Sequence, residues 1–272
     1  MTPRPVAIRQ IGAIARRDAL VQLSYQLNLL LYLGTAVFGA FIAYFVAELV
    51  GDSELLEPYR GTYFDFVIVG LAITSYASLA VAAFNEQIRQ EQSIGTLEVL
   101  LAGPARLSTL LSGGFVVPLI LTTLEVALLL GIGIGVFGAG IGFSNLLLAV
   151  PVVVLTVLNF CALGIASAAL IMLAKRGDPI SGPLYQATLL LSGAIFPIEV
   201  FPGWLQAVSK ATPGYYGVRG ARDALLTDGG FAAIRSDLVV LALFAAVMLP
   251  VAVWIFARAL SAAKRLGVLA SY

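Results

Sequence analysis

The sequence contains no histidine and a single cysteine, Cys161. Without histidine the chain lacks the commonest general base and metal ligand of neutral pH. One cysteine excludes an intrachain disulfide and a cysteine zinc cluster. Set inside an apolar run, it reads as a small buried residue and not as a reactive thiol. Charge is scarce: 11% of residues carry it, under half the ~25% of an ordinary soluble domain. The net charge of +1 offers no electrostatic footprint for nucleic acid. The three lysines are Lys175, Lys210 and Lys264, and none follows a glycine. A phosphate-cradling loop needs that Gly-Lys step, so no such site for ATP hydrolysis is expected. Gly133, Gly135 and Gly138 do spell G-x-G-x-x-G, but no soluble strand precedes them and no βαβ unit surrounds them. Glycines in such a run end a helix or let helices pack closely. No nucleophile with a nearby base and no metal-spaced cluster is found, and the chain is not expected to be an enzyme.

Apolar residues are abundant, at 60% of the chain with a mean hydropathy of +0.98. A helix crosses a ~30 Å hydrocarbon core with about 20 apolar residues, so charge-free stretches locate the spans. Ala19–Ala47, Phe66–Asn85, Leu107–Leu124 and Leu238–Ala257 are free of charge, and Pro179–Val200 is interrupted only by Glu199. Val126–Ala174 is charge-free for 49 residues, too long for one helix. It divides near Gly131–Gly142 and Asn145, where helix propensity is low. The expected fold is all-α and membrane-embedded, with six spans at roughly 27–48, 64–84, 108–134, 146–174, 181–200 and 237–258. The first apolar run is too long for a secretory signal and lies behind an amphipathic start.

Orientation follows from lysine and arginine. With the N-terminus in the cytoplasm, the inner segments hold Arg4, Arg9, Arg16, Arg17, Arg89, Arg106, Lys175, Arg176, Arg258, Lys264 and Arg265, 11 in all, against Arg60, Lys210, Arg219, Arg222 and Arg235 outside. The first outer loop is acidic. Both termini are therefore expected inside a cytoplasmic membrane. Residues 1–26 contain an amphipathic stretch with Ile8, Ile11, Ala15 and Ala19 on one helical face and Arg9, Arg16 and Arg17 away from it. This reads as a helix lying in the inner interface with its arginines toward anionic headgroups. The alternative is a solvated lead-in to the first span. Residues 259–272 form a cytoplasmic tail.

Two further pieces carry functional meaning. The outer stretch at about 197–227 is punctuated by Pro197, Pro202 and Pro213. Tyr215 and Tyr216 sit where interfacial aromatics are expected, Trp204 lies with Leu205 and Val208 on the apolar face of a short helix, and Phe196, Pro197 and Phe201 join them as candidate outer-gate residues. It reads either as a re-entrant outer gate or as an ordinary surface loop. In the third span, Glu125 is an ionisable group at a depth where charge is costly. It is either a contact for substrate or proton, or a packed and protonated carboxyl. Asn159, with Thr156, lies in the fourth span as a pathway residue or an interhelical hydrogen-bond partner.

Between the second and third spans runs a polar island, residues 85–107, NEQIRQEQSIGTLEVLLAGPARL. Gly95 breaks the preceding helix. Thr96 can cap a new short one with Glu98 near its positive end. Leu97, Leu100 and Leu101 form its apolar face, and Gly103-Pro104 stops it. A two-turn helix is unstable alone; it needs a partner's groove or its own membrane domain to pack on.

The segment QEQSIGTLEVLLAGPARLSTLLSG (90–113) resembles the E-x-x-x-G-T-L-E-x-L-L-x-x-P signature of permeases of type 2 ATP-binding-cassette (ABC) exporters. SGAIFPIEVFPGWLQAVSKATPGYYGVRGARDALL (192–226) is similar to the same family's F-P, short-helix, P-x-x-Y pattern near the fifth span. With six spans and an amphipathic start, the resemblance covers essentially the whole chain. It implies a half-transporter, in which two permease copies pair as a homodimer and each docks a separate cytoplasmic ATPase that binds ATP and magnesium; this chain carries no cofactor. It implies a coupling helix at about 91–104, including Glu91, Gly95, Thr96, Leu97, Glu98, Leu100 and Leu101, an N-terminal interface helix, and a re-entrant pair at the outer mouth. Aromatic and charged patterns of polysaccharide-exporting relatives around the first helix are missing, which places the pattern nearer the drug and natural-product branch. The expected cargo is a lipophilic or amphipathic compound moved outward. The alternatives are a lipid or lipid-linked glycan, and a self-contained ion-coupled carrier using Glu125.

Overall fold

The structure is a computed structural model that describes residues 4–51, 61–94, 107–142, 146–174 and 181–265. Every regular element among them is helical: α1 (Arg4–Ser24), α2 (Gln26–Val50), α3 (Tyr63–Ile94), α4 (Leu107–Gly135), α5 (Leu146–Ala174), α6 (Ser181–Leu191), α7 (Gly203–Lys210), α8 (Pro213–Leu226) and α9 (Gly230–Arg265). Helices satisfy every backbone group internally, which apolar surroundings demand. Five of these helices (α2, α3, α4, α5 and α9) are long and apolar enough to cross a membrane. The protein is a multi-pass membrane protein.

The span expected at 181–200 is shorter than the apolar run around it. Its helix stops at Leu191, where Gly193 takes φ +70°. Such a φ suits glycine and turns the chain, and Pro197 then starts a single 3₁₀ turn, Ile198–Val200. Other helices outrun their apolar stretches. α3 continues through Gln87 and Arg89 to Ile94, and α9 starts before Arg235 and Asp237 and ends at Arg265, so 259–265 of the tail are helical. The glycine run after the third span does end a helix: Gly138 has φ +72° and the Ala139 amide donates back to the Gly133 carbonyl at 2.9 Å.

α3 and α5 form the centre. α5 packs against α9 and α3, and α3 also against α4 and α8. Apolar burial gives no net drive between helices in lipid, so close packing and hydrogen bonds must hold them. At Gly164 a Cβ would stand 2.5 Å from the Ala80 carbonyl oxygen, which measures how near α5 lies to α3. One turn further along, the buried Asn85 accepts from Ser167 Oγ at 2.7 Å and donates to Ser181 Oγ at 2.5 Å, tying α3, α5 and α6 together.

α1 runs against the start of α4, with Ile14 touching Gly113. Ile11, Ile14, Ala15 and Ala19 are half-buried, while Arg9, Arg16 and Arg17 are exposed. This end of the bundle, where α1, Gln87 and the start of α4 meet, is the end from which the polar island departs. Gly95, Thr96, Leu97, Glu98, Leu100 and Leu101 lie outside the described residues, and Glu91 sits on the last turn of α3.

Candidate functional site

Polar residues at helical spacing on three helices converge on one cavity. α2 contributes Asn28, Tyr32 and Thr35; α3 contributes Ser75, Ser78 and Glu86; α4 contributes Pro118, Leu121, Thr122 and Glu125. Gln22 from α1 and Tyr185 from α6 complete the wall around a volume of about 500 Å³. Residues three, four or seven apart share a helix face, so each stripe faces inward as a unit. From Ser75 to Glu86 the wall extends ~16 Å along α3 at 1.5 Å per residue. Glu86 and Gln22 mark its end near α1.

Glu125 sits ~18 Å along α4 from Gly113 and ~15 Å from Gly135, between the two ends of that span. Its carboxylate stands beside the Tyr32 hydroxyl, which also lies 3.0 Å from Thr122 Oγ1, and its charge reaches Tyr185. A charged group at the centre of a bilayer costs about 2.5–3.5 kcal/mol on insertion scales. A polar cavity lined with hydroxyls lowers that cost. Of the sequence candidates among the described residues, only Glu125 lines this cavity. Asn159 is fully buried and donates to the Leu155 and Leu241 carbonyls at 2.8 and 3.0 Å, bridging α5 to α9. Thr156 is equally buried, against Gly217 of α8.

A second polar constellation lies at the opposite end, in the stretch singled out as a gate or loop. α8 presents Gly214, Gly217 and Gly220, one helical turn apart, to α6, α5 and α9. The absent side chains bring its charges into the bundle. Arg222 is 4% exposed; it donates to the Phe66 carbonyl through Nε (3.1 Å) and Nη2 (2.9 Å) and to the Ala194 carbonyl at 2.8 Å. Its guanidinium lies 3.3 Å from the centroid of the Phe66 ring. The Tyr63 hydroxyl donates to the Ile195 carbonyl at 3.0 Å. The turn after α6 is thereby fastened to the start of α3.

Beside it, Arg219 pairs with Asp237 of α9, which has no exposed surface, and donates to the Tyr215 hydroxyl at 3.1 Å. Burial opposes the Arg219 charge, but Asp237 and Tyr215 outweigh it and hold the guanidinium above its ordinary range. Burial and then the Asp237 charge raise Asp223 above the usual carboxylate range, against the pull of Arg219 and Arg222. Tyr215 and Tyr216 both lie within reach of Arg219, their centroids 5.0 and 5.3 Å from its guanidinium carbon. Pro197 is buried, Phe201 half-buried, and Phe196 and Trp204 exposed at 52% and 69%. Trp204 and Val208 leave the apolar face of α7 open at this end.

Sequence reading missed Tyr32, Thr122, Tyr185, Ser75 and Ser78, and it counted Arg219 and Arg222 as loop charges. Two signals were present: polar residues spaced by three or four inside apolar runs, and the 214–217–220 glycine spacing around Arg219 and Arg222.

Comparison with known proteins agrees with this architecture. The chain is 30% identical over 160 residues to Nodulation protein J of Rhizobium leguminosarum bv. trifolii, covering 56% of this chain and 58% of that one. It is 37% identical over 90 residues to Nodulation protein J of Rhizobium meliloti (strain 1021), covering 32% and 34%. ABC transporter G family member 20 of Dictyostelium discoideum is 24% identical over 171 residues, 62% of this chain and 23% of its own length. The chain thus spans between about a quarter and three fifths of the curated relatives it matches. The pattern of the ABC-2 type transporter family matches residues 9–226, from within α1 to the end of α8. The chain belongs to the ABC-2 type transporter family.

Proposed function

We propose that this chain is the transmembrane permease subunit of an ATP-driven exporter that moves a lipophilic or amphipathic compound out across the cytoplasmic membrane. The observation that carries the reading is the half-polar cavity of about 500 Å³ reaching from the α1 end toward Glu125. The excess of lysine and arginine supports putting that end in the cytoplasm. A polar cavity whose lining runs from that end to Glu125, with the Arg222 cluster at the other end of the bundle, suits loading from the inner side, the first half of an outward cycle. Energy comes from a separate cytoplasmic ATPase that binds ATP and magnesium. It docks on a coupling helix built from Glu91, Gly95, Thr96, Leu97, Glu98, Leu100 and Leu101. Two permease copies form a homodimer within a 2+2 complex, and α1 lies in the inner lipid interface. Nucleotide-driven movement of the ATPases shifts the coupling helices and switches the cavity between two rigid-body states.

The test is affinity purification of the tagged protein from mild detergent, with mass spectrometry of what accompanies it. A stoichiometric ATPase subunit, lost on Glu98→Arg while the chain stays in the membrane, supports the proposal. A chain that purifies alone and still transports in vesicles without ATP replaces it with an ion-coupled carrier.

A further inference from the structure

The charge of the cavity narrows the cargo. Resting on the permease reading above, we propose that Glu125 is the counter-charge for a cationic amphiphile, a compound with an apolar body and one ammonium-like or other monovalent cationic centre. Among the described residues, the only charged groups lining the cavity are Glu125 and Glu86. An anion entering it meets two carboxylates and no lysine or arginine, whereas a cation gains from both. Glu86, near the α1 end, is exposed and shares its charge with Arg89 at 3.4 Å. Glu125 is half-buried and forms no ion pair among the described residues, so an arriving cation competes there with no described lysine or arginine, and the Tyr32 hydroxyl beside the carboxylate is a neutral neighbour.

The rest of the lining suits the same class. Tyr32 and Tyr185 flank Glu125, and aromatic faces attract cations. The Thr122 hydroxyl beside Tyr32 accepts hydrogen bonds from an ammonium. Leu121 and its apolar neighbours cover the body of the ligand. The volume, about 500 Å³, falls within the ~300–1,000 Å³ of pockets that bury small organic ligands. A carboxylate at that depth is costly in an apolar bilayer, and a bound cation offsets part of that cost.

The test is direct binding to the full chain in lipid nanodiscs by equilibrium dialysis, counted as saturable binding beyond that of empty nanodiscs of the same lipid. Three probes of similar shape are used: tetraphenylphosphonium (cation), triphenylphosphine oxide (neutral) and tetraphenylborate (anion). Preference for the cation by at least tenfold over both others on the unsubstituted chain supports the proposal. So does a tenfold or greater loss of cation binding in Glu125→Gln, with neutral binding unchanged and Glu125→Asp retaining most of it. Equal binding of the three probes, preference for the anion, or undiminished cation binding by a folded Glu125→Gln overturns it. The comparison of probes on the unsubstituted chain decides the matter even where the glutamine variant does not fold. Failure of the permease reading registers separately, as the absence of a co-purifying ATPase.

Discussion

Asp237 has no exposed surface, while its partner Arg219 keeps 36% of its side chain accessible. The two substitutions that break this pair are therefore unequal. Removing Asp237 leaves a guanidinium that still rests against Tyr215 and Tyr216 and can reach polar surroundings. Removing Arg219 strands a carboxylate in the bundle, and leaving one partner of a buried pair uncompensated costs about 3–5 kcal/mol. Arg219→Ala is expected to cost ~3 kcal/mol of unfolding free energy and Asp237→Ala roughly half as much. The double substitution should cost less than their sum because the stranded charge is gone. Denaturant titration of the four proteins in mixed micelles measures the cycle. Equal single-variant costs, or a strictly additive double variant, would show that the pair stabilises nothing beyond its separate contacts.

At the scale of helices, the close approaches are set by glycines. A Cβ at Gly70 would stand 2.2 Å from the Ala194 carbonyl oxygen, which is the backbone of the turn that Arg222 fastens to α3. Backbone cannot step aside as a side chain can, so Gly70→Ala is expected to cost about 1–3 kcal/mol by overpacking and to loosen the outer turn. Gly131, four residues before the end of α4 and with nothing within 4 Å, is the control. There alanine should be neutral or stabilising by up to ~1 kcal/mol, since glycine is the poorer helix former. Thermal midpoints of both variants check this, and a loss at Gly131 as large as at Gly70 would refute the packing argument.

The same glycines explain what the sequence could and could not reveal about elements. Hydropathy located α5 to both ends, Leu146–Ala174, because its borders coincide with polar residues on each side. It undershot α3 and α9, because Glu86, Arg89, Arg235 and Asp237 end an apolar run without ending a helix. It overran α6, because a turn at Gly193 is as apolar as the helix before it. The cavity was half legible: Glu125 announces itself as a charge among apolar residues. Tyr32, Ser75 and Ser78 gain meaning only when three helices bring their stripes together. Arg222 was counted with the outer charges because composition cannot distinguish a loop from a helix whose glycine face draws it inward.

For the whole molecule, two polar systems sit at opposite ends of one bundle. The lining of the cavity with Glu125 reaches the α1 end, and the Arg219–Arg222–Asp237 cluster fastens α3, α8 and α9 at the other. A transporter must never open both ends at once, so loading at one end requires the other to be held shut. On the proposed reading, the fastened end is the one held shut and the cavity is the loading end. Accessibility of a cavity residue should then depend on nucleotide. Ser78 lines the cavity on α3, and the single native cysteine, Cys161, is 9% exposed, so background thiol reaction is low. Ser78→Cys is expected to react with a membrane-impermeant thiol reagent in inside-out vesicles and to slow about tenfold or more when the proposed partner ATPase is trapped with ATP. In right-side-out vesicles the dependence should reverse. Reaction independent of nucleotide in both orientations would mean that this cavity does not alternate and that the route across the membrane lies elsewhere.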